Sequence, residues 1–107
     1  MAESAAEFLP AVVERIVRNF KPDRIILFGS FARGEAGPDS DLDLLVVLPE
    51  VHHRRDQAVA IRQALADLPV SKDVVVATAE EIERDRHRIG SIIGPALSEG
   101  RVLYERD

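Results

Sequence analysis

The sequence predicts an α/β (α+β) protein in which helices cover a small mixed β-sheet. Stretches with helical apolar spacing alternate along the chain with short, continuous apolar runs bounded by glycine and proline. The 107 residues are 46% hydrophobic and 31% charged, which is typical of one globular domain. We therefore expect a single domain over residues 1–107, with its elements in the order α-β-β-α-β-α-α-β.

The first half of the chain is predicted to form a helix and two strands, at residues 8–20, 24–28 and 41–48. Apolar residues recur every three or four positions in the helix, and Pro22 prevents it from continuing. The runs RIILF and DLDLLVVL have the length and composition of buried strands, and Pro49 ends the second. Residues 34–40 lie between them and form a loop, because they contain two glycines and a proline.

The second half is predicted to form three helices and two strands, at residues 54–68, 70–77, 78–87, 91–99 and 101–105. The first of these helices is amphipathic and ends at Pro69, and VSKDVVVA follows as a buried strand. Thr78 with Glu81 three residues later forms a capping box, which begins the next helix. Gly90 and Gly100 bound the last helix, and RVLYE is the final strand.

Charge and composition exclude several classes of function. The net charge of −5 argues against a broad basic surface that binds nucleic acid. Because cysteine is absent, disulfides and thiolate metal sites are excluded. The N-terminus lacks the pattern of a signal peptide, and no apolar run is long enough to span a membrane. We expect a cytoplasmic protein without a membrane or direct nucleic-acid partner.

Two aspartates stand at the start of the second predicted strand. Side chains at i and i+2 of a strand share a face, so Asp41 and Asp43 project together. Two carboxylates about 4 Å apart repel by roughly 4 kcal/mol at an effective dielectric of 20. Either a shared proton or a divalent cation relieves that repulsion, and the pair alone leaves both open. Asp73, early in the third strand, favours the cation: three carboxylates on neighbouring strands suit two Mg²⁺ ions.

The turn after the first strand supplies a second kind of ligand. Gly29 allows close approach of the backbone, and the N–H groups of the turn with the Ser30 hydroxyl can hold phosphate oxygens. Ser30 alone is equally consistent with a helix cap. Arg33 either contacts phosphate or pairs with an aspartate of the cluster. The basic runs HHRR and RDRHR are interpreted as solvated helix faces, and Tyr104 as packing for the last strand.

Together these residues resemble the signature of the DNA polymerase β-type nucleotidyltransferases: Gly29-Ser30, ten intervening residues, Asp41-x-Asp43, and Asp73 on a later strand. GSFARG, SDLDLLVV, KDVVV and GRVLYE resemble the minimal nucleotidyltransferases, or MNT proteins, encoded beside HEPN-domain toxins. The resemblance covers nearly the whole chain.

The resemblance implies a function and a set of roles. Asp41 and Asp43 would bind two Mg²⁺ ions, and Asp73 would bind the catalytic ion and help deprotonate the attacking hydroxyl. Gly29 and Ser30 would hold the β and γ phosphates of ATP. The expected reaction transfers AMP to a tyrosine of a HEPN ribonuclease toxin, in a hetero-oligomer with that toxin. Two alternatives stay open: a non-catalytic antitoxin that masks the toxin by binding, and a nucleotidyltransferase acting on a small molecule such as an antibiotic.

Overall fold

The fold is known from a computed structural model, which describes residues 5–34, 40–88, 90, 91 and 93–106. A short 3₁₀ helix, Ala5–Phe8, precedes the first α-helix. The α-helices are α1 (Leu9–Phe20), α2 (Ser30–Arg33), α3 (Arg54–Ala64), α4 (Ala79–Asp85) and α5 (Ile93–Glu99). The strands are β1 (Arg24–Phe28), β2 (Leu42–Val47), β3 (Lys72–Ala77) and β4 (Arg101–Glu105).

The four strands form one mixed sheet in the order β3-β2-β1-β4. β1 runs antiparallel to both β2 and β4, whereas β2 and β3 are parallel. The expectation that the second and third strands are neighbours is therefore confirmed, as is the predicted fold class. The parallel pair is joined through α3, which is the usual crossover between parallel strands.

Side chains alternate between the two faces of the sheet along each strand. Apolar side chains are therefore present on both faces, and helices cover both. One core cluster lies between the sheet and helices α1 and α3, and its members include Val12, Ile16, Leu27, Leu44, Val46, Ile61 and Val76. The second cluster lies under α4 and α5 and consists of Ile26, Leu45, Val47, Ala77, Ile82, Ile93 and Ala96. The central strands β1 and β2 are thus buried on both faces, whereas the edge strand β4 is largely exposed.

Local interactions fix where α4 begins. The Thr78 hydroxyl accepts a hydrogen bond from the Glu81 backbone, and the Glu81 carboxylate accepts one from the Thr78 backbone, so the predicted capping box is confirmed. Arg54, at the start of α3, pairs with Glu81 and donates a hydrogen bond to the carbonyl of Val76. These contacts tie the starts of two helices to the end of β3.

Most helices and strands differ from the predicted bounds by one or two residues at an end, α3 is four residues shorter than predicted, and one short helix was not predicted. α3 ends at Ala64 because residues 65–68 form tighter turns, and Pro69 disfavours helical geometry just before it. β3 consequently begins at Lys72 rather than at residue 70. The one-turn helix α2, between two glycines with positive φ, was not predicted, because four residues carry no periodic signal. Residues 35–39 of the predicted loop lie outside the described residues. No helix in the described part of the chain is long and apolar enough to cross a membrane.

Candidate active site

Three strand ends meet at one end of the sheet and bring the predicted site residues together. Asp43 of β2 lies directly opposite Asp73 of β3 in the parallel ladder and opposite Phe28 of β1 in the antiparallel ladder. Gly29 follows Phe28 immediately, so it reaches the same place. Neighbouring strands are about 4.8 Å apart, which puts the two aspartates side by side on the face that α4 and α5 cover. The prediction that Asp73 joins Asp43 from an adjacent strand is confirmed.

Asp41 lies one residue before β2 and is exposed, so it is not part of the strand as the sequence had indicated. The next residue, Leu42, is fully buried, and its N–H donates a 2.9 Å hydrogen bond to the carbonyl of Ser71. That bond joins the chain segments that enter β2 and β3. Asp41 therefore stands at the same end of the sheet as Asp43 and Asp73, on the solvent side.

Gly29 and Asp43 are in very close contact. Gly29 has φ +74° and ψ −155°, a conformation that is essentially restricted to glycine. A Cβ atom added there would fall on Oδ2 of Asp43 and lie 3.0 Å from its Cγ. The absence of a side chain at Gly29 is thus what leaves room for the Asp43 carboxylate.

Electrostatics at this end of the sheet favour a positive ligand. Burial raises the pKa of Asp43 above its ordinary value, and the negative charges of Asp73 and Asp41 raise this pKa further. The charge of Arg33 acts in the opposite direction and lowers this pKa. A half-buried carboxylate whose ionisation is opposed by two others gains most from a bound cation.

The donor set fits Mg²⁺ by its chemistry, since carboxylate oxygens are the ligands this ion prefers and phosphates complete its shell. Within the described residues, no three histidine, cysteine, aspartate or glutamate side chains stand close enough together to hold a metal ion as they are placed. The three aspartates thus share one end of the sheet without forming a closed ligand set.

Ser30 and Arg33 lie in the one-turn helix α2, directly after Gly29. The N–H of Arg33 donates a hydrogen bond to the carbonyl of Gly29, which closes the turn. The Arg33 guanidinium forms a 3.0 Å ion pair with Glu99, the last residue of α5. No pattern in the sequence identified Glu99 as the partner, because the two residues are 66 positions apart.

Other residues singled out in the sequence have structural partners. Tyr104 packs against the core cluster under α1 and α3, as predicted. The basic side chains at Arg84, Arg86 and Arg88 are exposed and paired with acids of the same segment. Lys72 is half-buried and donates hydrogen bonds to two carbonyls of the preceding turn. These contacts support the non-catalytic interpretation of the basic runs and of Lys72.

Two curated relatives resemble most of this chain. The bifunctional uridylyltransferase/uridylyl-removing enzyme of Bordetella pertussis is 42% identical over 78 residues, which is 70% of this chain and 9% of that enzyme. A candidate protein adenylyltransferase of Methanocaldococcus jannaschii is 33% identical over 86 residues, which is 78% of this chain and 58% of the relative. The chain therefore spans less than two thirds of the length of each relative.

Solved structures share the fold at lower sequence identity. A candidate nucleotidyltransferase from Sulfolobus solfataricus has a TM-score of 0.64 at 20% identity, covering 99% of this chain and 91% of that one. A chain of a toxin–antitoxin complex with AMP-PNP has a TM-score of 0.58 at 21% identity, covering 91% and 73%. A chain from the complex of tri-AMPylated Shewanella oneidensis HEPN toxin with MNT antitoxin has a TM-score of 0.53 at 19% identity, covering 94% and 72%.

A family model matches most of the chain. The model of the nucleotidyltransferase domain matches residues 9–98. That segment contains every predicted site residue, namely Gly29, Ser30, Arg33, Asp41, Asp43 and Asp73. The resemblance that the spacing of these residues indicated is thereby confirmed, and the chain belongs to the nucleotidyltransferase domain family.

Proposed function

We propose that this chain is a Mg²⁺-dependent nucleotidyltransferase that moves AMP from ATP to a hydroxyl group of a protein. The observation that carries the proposal is the meeting of Gly29, Asp43 and Asp73 at one end of the sheet. Burial, and then the negative charges of Asp73 and Asp41, raise the pKa of Asp43, so its ionised form is disfavoured without a cation. A stable fold would not need such an arrangement, whereas a cation and a triphosphate would.

The proposed roles are those that the resemblance to the nucleotidyltransferases implies for these positions. Asp41, Asp43 and Asp73 would hold two Mg²⁺ ions, which when bound neutralise the triphosphate and polarise the bond to the leaving group. Gly29 and Ser30 would receive the β and γ phosphates in the turn that follows β1. Arg33 adds a positive charge beside the same turn. The proposed metal ligands and phosphate donors would therefore act together at one end of the sheet.

The reaction would replace the bond between the α phosphorus and pyrophosphate with a bond between that phosphorus and the acceptor oxygen. The acceptor hydroxyl oxygen attacks the α phosphorus of ATP, and the bond between that phosphorus and the pyrophosphate oxygen breaks. Asp73 receives the hydroxyl proton, and pyrophosphate leaves with the electron pair of the broken bond. Asp73 is exposed at the edge strand of the sheet, so an acceptor on another molecule can reach it.

A protein acceptor is supported by the relatives. One relative carries the name of a protein adenylyltransferase, and one structural neighbour is a complex that contains an AMPylated HEPN toxin. We therefore propose that the acceptor is a tyrosine of a HEPN ribonuclease toxin, and that the chain is the antitoxin of that toxin in a hetero-oligomer.

A second candidate is an antitoxin that neutralises the toxin by binding alone. It is favoured by one observation, that no three carboxylates in the described residues stand close enough to hold a metal ion as placed. The two functions differ in whether the aspartates are required. Neutralisation by binding would survive the loss of the Asp43 charge, and neutralisation by modification would not.

The test is transfer of label from ATP to a purified HEPN partner in Mg²⁺. Label at the α phosphate should appear on the partner and label at the γ phosphate should not, because pyrophosphate leaves. Asp43→Asn should abolish transfer. Asp56→Asn is the matched control, since Asp56 is an exposed aspartate in the first turn of α3, beyond the other end of β2. No transfer by the wild-type chain, together with protection from the toxin by Asp43→Asn, would establish the binding function instead. Substitution of UTP for ATP tests the nucleotide, since one relative is a uridylyltransferase.

A further inference from the structure

The ion pair between Arg33 and Glu99 joins two elements that are distant in sequence. Arg33 ends α2, which begins at the predicted phosphate-binding turn, and Glu99 ends α5. Their side chains meet at 3.0 Å and are both about half-exposed, at 40% and 44%. Several ion pairs of the described residues join elements that are distant in sequence, and this one lies next to the turn at Gly29.

Glu99 is anchored by close packing at the end of α5. A Cβ atom added at Gly100 would lie 2.6 Å from Cγ2 of Ile26 and 3.1 Å from the carbonyl oxygen of Leu27. Ala96, one turn earlier in α5, is 1% exposed. The backbone at Glu99 is therefore held against β1, the same strand that ends at Gly29.

Arg33 lies near the aspartate cluster, which consists of Asp41, Asp43 and Asp73. Its backbone N–H donates a 3.1 Å hydrogen bond to the carbonyl of Gly29, and Gly29 is in close contact with the carboxylate of Asp43. A guanidinium forms strong two-pronged hydrogen bonds with a carboxylate, so a direct Arg33–Asp43 pair would occupy the oxygens that a cation needs. The guanidinium of Arg33 instead pairs with the carboxylate of Glu99, which is not one of the clustered aspartates.

We propose that Glu99 is a positioning residue that holds Arg33 beside the triphosphate and keeps its guanidinium off the metal-binding aspartates. Ser30 and Arg33 are three residues apart in α2 and therefore lie on the same side of that helix. An Arg33 side chain held by Glu99 therefore stays within one helical turn of Ser30, at the predicted phosphate-binding turn. The inference rests on the proposed function, because it assigns the bound group as a nucleoside triphosphate with Mg²⁺.

The experiment measures the dissociation constant of Mg²⁺–ATP for the wild-type chain, Glu99→Gln, Arg33→Ala and the double variant, by calorimetry. Glu99→Gln should weaken binding roughly fivefold, the size expected for one half-exposed charged contact. Arg33→Ala should weaken it by at least as much. Because Glu99 acts through Arg33, adding Glu99→Gln to Arg33→Ala should change the constant by less than about twofold. Glu83→Gln is the matched control, since Glu83 forms a 3.0 Å ion pair with Arg86 on α4, and it should bind as the wild type does.

Three results would overturn the inference. If Glu99→Gln binds Mg²⁺–ATP with wild-type affinity, the position of Arg33 does not depend on Glu99. That result would leave the proposed function unaffected. Equal losses from Glu99→Gln with and without Arg33 would show that Glu99 only stabilises the fold, which a lower melting temperature would accompany. Failure of the wild-type chain to bind Mg²⁺–ATP would refute the proposed function, and the inference with it.

Discussion

Replacement of Gly29 by alanine tests the closest contact in the candidate site. The added methyl group would fall on Oδ2 of Asp43, and ordinary contact between such atoms needs about 3.4 Å. The carboxylate therefore has to move by more than about 1 Å, or the turn has to shift. A displacement of that size in a reacting group costs on the order of 100-fold in rate. We expect Gly29→Ala to lower the rate of nucleotide transfer by at least that factor.

The same substitution also strains the backbone. A non-glycine residue at φ +74° and ψ −155° costs about 1–3 kcal/mol of folding free energy. For a domain of this size, each kcal/mol lowers the melting temperature by roughly 4–8 °C. A lower transfer rate in Gly29→Ala could thus result from lost stability alone. The control variant therefore needs a similar backbone strain away from Asp43.

Gly34 provides that control. It has the same φ of +74°, and nothing lies within 4 Å of a Cβ atom added there. Gly34→Ala should lower the free energy of unfolding by roughly 1–2 kcal/mol and leave transfer near the wild-type rate. Both variants are compared by urea denaturation and by transfer of α-labelled ATP, well below their melting temperatures. Equal transfer rates in the two variants would refute the role of the Gly29–Asp43 contact.

Further predictions concern charge and packing around the site. Because the folded-state pKa of Asp43 is raised, the stability that its protonation contributes is present below the ordinary value of 3.8 and is lost as pH rises through the raised value. With chelator present, Asp43→Asn should therefore raise the free energy of unfolding at pH 7, and the gain should vanish well below pH 3.8, as measured by urea denaturation. The pKa of Glu81 is lowered, chiefly by its hydrogen bond from Arg54. The stability that the ionised carboxylate contributes is therefore present above the ordinary value of 4.5 and is lost as pH falls through the lowered value. Glu81→Gln should lower the free energy of unfolding by about 1 kcal/mol at pH 7 and leave it unchanged in acid. Leu44→Ala, in the fully buried part of β2, should cost about 2–5 kcal/mol by the same denaturation measurement.

The sequence was most informative where a charged residue stands in an apolar strand, because such a residue is unfavourable there without a ligand or partner. Aspartates at the start of apolar strands are costly, and the alternation of strand side chains predicted that Asp41 and Asp43 share a face. The place of Asp73 beside Asp43 depended on the pairing of β2 with β3, which the structure supplies. Gly29 could be identified as a point of close approach, but its neighbour could not, since that contact depends on how β1 pairs with β2. The partner of Arg33 could not be predicted either. Glu99 lies 66 positions away, and only the packing of α5 on β1 brings the two charges together.

A crystal structure with Mg²⁺ and a non-hydrolysable ATP analogue tests the central claim most directly. We predict that the triphosphate lies against the turn at Gly29 and Ser30, and that metal ions lie between its oxygens and the carboxylates of Asp41, Asp43 and Asp73. Rotation of Asp41 and Asp73 toward Asp43 should accompany binding. A nucleotide bound elsewhere on the chain, or at this turn without a metal ion in contact with Asp43, would contradict the account.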